Sequence, residues 1–148
     1  MKVFHEHGSK QRLFELFYRV NKLDEGMLPK DQKMEIIDEF VGFACDYLGI
    51  DGDGMNIVIS YDPNEAAEMQ SFGLHRPRTG EIRVVATNRN LADVLRTLAH
   101  EIVHHKQMRE GRLYHGAGAD GTPEENEANA EAAVIMRKFG KANPIIFE

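Results

Sequence analysis

Residues 90–109 read Asn90-Leu91-Ala92-Asp93-Val94-Leu95-Arg96-Thr97-Leu98-Ala99-His100-Glu101-Ile102-Val103-His104-His105-Lys106-Gln107-Met108-Arg109. Leu91, Val94, Leu95, Leu98 and Ile102 recur at helical spacing, which predicts a helix over Asn90–Arg109 with one apolar face. The run His100-Glu101-Ile102-Val103-His104 lies on that helix. Residues four apart share a helix face, so the two imidazoles can reach one zinc ion. They project nearly opposite the apolar stripe, where a second layer must cover them. Glu101 is turned about 100° from His100, toward the rim, where it can hold a water without filling a ligand position.

Outward from this helix, periodicity predicts an α+β chain. A helix is expected over 10–23, where Leu13, Leu16, Phe17, Val20 and Leu23 form a stripe. A second runs from about Pro29 to Leu48, with Met34, Ile37, Val41, Ala44 and Leu48 inward. Asp51-Gly52-Asp53-Gly54 then reads as a turn. An EF-hand loop starting at Asp51 would need glutamate at its twelfth position, which is Asp62. Three short strands follow at Asn56–Tyr61, Gln70–His75 and Glu81–Thr87, the last two joined through Arg76-Pro77-Arg78-Thr79-Gly80 as a hairpin. After the central helix, another is expected over Pro123–Lys138. The tail 141–148 is non-helical because of Pro144, with Ile145, Ile146 and Phe147 packing back. The expected architecture is two N-terminal helices, a small, mostly antiparallel sheet of about three strands, and two further helices. Together they make one domain spanning 1–148.

Zinc needs at least three protein ligands. Gln107 and Glu110 occupy the positions where a metzincin carries glycine and histidine, and Cys45 falls on a buried stripe, so a carboxylate from the following helix remains. Thr122 fits that helix's N-cap, Pro123 its first turn, and Glu125 the position that completes a capping box. Glu125 therefore has a structural reading. It also sits at the centre of the stripe formed by Ala128, Ala132, Ile135 and Phe139, whereas Glu127 and Glu131 point away and Glu124 lies to one side. A carboxylate buried there needs a cation, and a zinc ion held by His100 and His104 would supply it. Asn129, one turn on, is placed to hydrogen-bond a histidine's second nitrogen.

His100-Glu101-x-x-His104 followed by Glu125-x-x-Ala128-Asn129 resembles the gluzincins, zinc peptidases with a downstream E-x-x-[A/S]-[D/N] motif. The run Glu125-Asn126-Glu127-Ala128-Asn129 is similar to that of compact ImmA/IrrE-type metallopeptidases. The likeness covers about residues 81–139. It implies a zincin-like fold with an active-site helix and a C-terminal glutamate helix, with Glu125 as the third ligand and Asn129 orienting a histidine. It implies peptide hydrolysis by a zinc-activated water, with Glu101 as general base. Tyr114 or His115, in the loop between the two helices, would assist the oxyanion, as a tyrosine does in thermolysin-like gluzincins. An edge strand, either Gln70–His75 or Glu81–Thr87, would pair with an extended peptide. The alternative is a non-catalytic, zinc-containing module that binds a protein partner.

Composition bounds these readings. The chain has 148 residues, 42% hydrophobic and 28% charged, with a net charge of −6 and a single cysteine. No apolar run approaches the roughly 20 residues of a membrane helix, and the first residues lack the apolar core of a leader. One cysteine excludes an internal disulfide, and a cytoplasmic protein is expected. The acidic balance weighs against nucleic acid, despite Arg76, Arg78, Arg83 and Arg89, which read as a solvated strand and turn. His75 reads as a solvated strand end, His105 as a packing or surface residue, and His5 and His7 as part of a disordered terminus.

Overall fold

A computed structural model describes residues 2–6, 30–68, 71–113 and 119–147. The helix expected over 10–23 and residue His7 lie outside these residues. The described residues form a four-stranded sheet and four α-helices in the order β1 (Lys2–Glu6), α1 (Lys30–Leu48), β2 (Asn56–Ser60), α2 (Pro63–Glu68), β3 (Gly73–Arg76), β4 (Glu81–Val85), α3 (Leu91–Arg109) and α4 (Pro123–Ala142). The α+β class holds. No helix among the described residues is long and apolar enough to cross a membrane.

The sheet differs from the expected one. Its order is β1-β2-β4-β3, with β1 parallel to β2, β2 parallel to β4, and only β3 antiparallel to β4. The mostly antiparallel, three-stranded expectation is therefore corrected. The added strand β1 is short and mixed in polarity, and its register of Val3 to Ile57 and His5 to Ile59 depends on a distant partner. His5 is ordered rather than loose: Nδ1 lies 3.0 Å from Tyr61 Oη and Nε2 lies 3.0 Å from Asp38 Oδ1.

Alternation places Ile57 and Ile59 of β2, with Ile82 and Val84 of β4, in one core with Phe40, Val41 and Ala44 of α1. Leu95, Leu98 and Ile102 of α3 and Ile135 and Phe139 of α4 complete it. Phe40 meets Phe139 edge-on, with ring centroids 5.0 Å apart. The hairpin between β3 and β4 closes at Gly80, whose φ of +72° suits glycine and where a Cβ would lie 1.9 Å from the Gly54 carbonyl oxygen. Asp51 Oδ1 accepts from the Asp53 backbone N–H at 2.8 Å, so the Asp-Gly run is an Asx-type turn, as its residues suggest.

The last helix extends four residues beyond the expected Lys138, to Ala142, and residues Pro144–Phe147 form a 3-10 turn. Pro144 ends the α-helix but does not keep the tail from being helical, because a proline suits the first position of a new turn. Ile146 is buried, as expected of the tail, while Phe147 remains exposed.

Candidate metal centre

The helix α3 is buried on more than one side. Its apolar stripe enters the core, while His104, His105 and Gln107 are buried on other faces and His100 is half-buried. Asn90 starts the helix, its side chain accepting from Asp93 N–H at 2.9 Å. At α4, Thr122 accepts from the Glu125 backbone N–H at 3.2 Å. Glu125 thus takes part in the cap through its main chain alone. Its carboxylate turns to the histidines, with Oε1 3.0 Å from His100 Nε2 and Oε2 2.9 Å from His104 Nε2. The two Nε2 atoms are 3.2 Å apart. His100, His104 and Glu125 form a group that could hold a metal ion.

Ligand atoms about 2.0–2.1 Å from a tetrahedral zinc ion lie about 3.3 Å from one another. The 3.2 Å between the two Nε2 atoms is close to that edge, each histidine faces its own oxygen of Glu125, and one ligand atom from each of the three residues lies within 4.8 Å of the others. Burial lowers the pKa of His100 first, with His104 acting in the same direction, while Glu125 and a hydrogen bond to the Asn129 side chain oppose it. The Asn129 contact is the one its spacing suggested, and it is made to His100.

Sequence reasoning overlooked Gln107, which it treated only as the residue that excluded one ligand pattern. Its side chain is completely buried. The Nε2 donates to the Glu124 carbonyl at 3.0 Å and to Glu127 Oε1 at 3.3 Å, and Oε1 lies 2.8 Å from His104 Nδ1. The available signal was its place three residues after His104, which sets it on the same helix side. Glu127 points away from the histidines, as expected, and pairs with Arg112.

Glu101 is 8% exposed, and burial pushes its carboxyl up to about 7, countered by His104 and reinforced by Glu125. It lies under β3 at Gly73, where a Cβ would stand 3.3 Å from Glu101 Oε1. Gly73, Leu74, His100, Glu101 and Glu125 line a cleft of about 640 Å³. Of the two strands considered for pairing with a peptide, β4 is internal and β3 lies at the sheet's end, so among the described residues only β3 of the two has an unpaired edge.

His75 is not a solvated strand end. It packs edge-on against buried His105, with ring centroids 5.6 Å apart, and burial lowers its pKa to about 4. The arginine cluster is used internally as well. Arg83 pairs with Glu65 at 2.8 Å and with Glu6 at 3.1 Å, and Arg76 pairs with Glu81. Arg89 donates to the Val85 and Asp93 carbonyls and to Thr97 Oγ1. Tyr114 and His115 lie outside the described residues.

The chain matches no protein-family model, no curated protein and no solved structure. Two imidazole nitrogens and a carboxylate suit zinc or another first-row ion. The partly buried Glu101 offers a proton acceptor with a pKa suited to neutral pH.

Proposed function

We propose that this chain is a zinc-dependent metallopeptidase with His100, His104 and Glu125 as metal ligands and Glu101 as general base. The observation that carries the reading is the convergence of two imidazole nitrogens and a carboxylate, one ligand atom of each lying within 4.8 Å of the others. Gln107 strengthens it. With acceptors at its amide nitrogen, its oxygen must face His104 Nδ1, so that nitrogen carries the proton. With Nδ1 engaged by Gln107, the Nε2 of His104 is left to face the Glu125 carboxylate and the other imidazole, the direction from which a cation would be bound.

Zinc, when bound, supplies Lewis acidity to a water and to the substrate carbonyl. Glu101 takes the proton from the attacking water and returns it to the leaving amine as the C–N bond breaks. The free edge of β3 offers main-chain donors and acceptors to an extended peptide, and Gly73 keeps that edge low over Glu101. Asn129 holds His100.

Metal analysis of untagged protein tests the site. One zinc per chain is expected, lost in Glu125→Ala and retained in Glu101→Gln. Against a peptide library, Glu101→Gln should cut turnover by about a hundredfold or more. Unchanged hydrolysis in that variant would defeat the catalytic reading. Retained metal with no hydrolysis in the wild type would favour a zinc-containing binding module.

A further inference from the structure

Gln107 joins the two helices of the candidate centre through a fully buried side-chain amide. A buried amide satisfied between helices is usually read as packing. Three features set this one apart. Its two ends are not interchangeable, because the Glu124 carbonyl and the Glu127 carboxylate only accept, which forces the amide nitrogen toward α4 and the oxygen toward α3. The oxygen meets a ring nitrogen of His104, not the main chain or solvent. And the opposite ring nitrogen, Nε2, is the one that faces Glu125 and His100.

We propose that Gln107 is a positioning residue that fixes His104 as its Nδ1–H tautomer and holds the ring in the plane that presents Nε2 to the metal. The main chain of α4 serves as its reference point. This rests on the reading of His100, His104 and Glu125 as metal ligands. The amide orients the ligand from α3 by gripping the helix that supplies the ligand Glu125. Any shift between the helices therefore disturbs both ligands together.

Two substitutions separate this role from packing. Gln107→Glu keeps an oxygen for the His104 Nδ1–H while losing the donor to α4. Gln107→Met keeps length and burial but removes the acceptor. Competition with a zinc chelator is expected to show about tenfold to hundredfold weaker zinc binding in Gln107→Met. Gln107→Glu, which keeps the acceptor and loses the grip on α4, should weaken binding by less, about threefold to fivefold, and both variants melt earlier without metal. In zinc-loaded protein, proton NMR should show a slowly exchanging His104 Nδ1–H resonance in the wild type and in Gln107→Glu, absent from Gln107→Met.

Equal losses of affinity in the two variants, tracking their melting temperatures, would overturn the assignment while leaving the metal centre standing. So would a wild-type spectrum without the Nδ1–H resonance. A wild type that binds no zinc would overturn both readings together.

Discussion

At Gly73 the backbone of β3 runs so near α3 that a Cβ would come within 2.5 Å of Thr97 Cγ2 and 3.3 Å of Glu101 Cγ. The missing side chain sets the height of the strand over the general base. Gly73→Ala is expected to destabilise the protein by about 1–3 kcal/mol, the usual cost of overpacking, and to displace Glu101. Thr97→Ser removes the clashing methyl but keeps the hydroxyl that accepts from Arg89 Nη2 at 2.7 Å. Urea unfolding should therefore show part of the loss recovered in the double variant Gly73→Ala, Thr97→Ser. No recovery would place the strain elsewhere. Single residues were unevenly legible in the sequence. Glu125 could be picked out because a helical wheel separates it from Glu124, Glu127 and Glu131. Gln107 could not, because its role depends on which carbonyl lies opposite it on another helix.

Between β3 and α3, the pairing of His75 with His105 gives the strand a pH response. Burial, the neighbouring His105 and His104 together lower the His75 pKa from 6.5 to about 4. The unfolded chain therefore binds this proton more readily. Its contribution to stability is full above pH 6.5 and is lost as pH falls toward 4. Melting curves across that window should fall less steeply in His75→Leu than in the wild type, and equal slopes would remove His75 from the acid response. Elements were legible wherever a local repeat carried them. The spacing of apolar residues gave α1, α3 and α4 within a few residues, and β-branched runs gave β2 and β4. The strand β1 was missed because only its partner β2, some fifty residues later, makes a strand of Lys2–Glu6. The short helix α2 was missed because six residues are too few for a periodicity.

For the molecule as a whole, a metal held by α3 and α4 together would link its binding to global stability. At free zinc about a hundredfold above its Kd, the folded state gains about 2.7 kcal/mol, a rise in Tm of about 10 °C for a chain of this size. A chelator should reverse the rise, and Glu125→Ala should show none. A rise of equal size in Glu125→Ala would assign the zinc to other groups. The start of α4 carries a related consequence. Thr122 pins the helix to Glu125 through the main chain, and the same residue turns its carboxylate to the histidines. One residue inserted between Glu125 and Ala128 would leave a well-formed helix with its acid swung about 100° from the stripe that packs it. At this spot the count of residues, more than their identity, decides whether the chain has a centre at all.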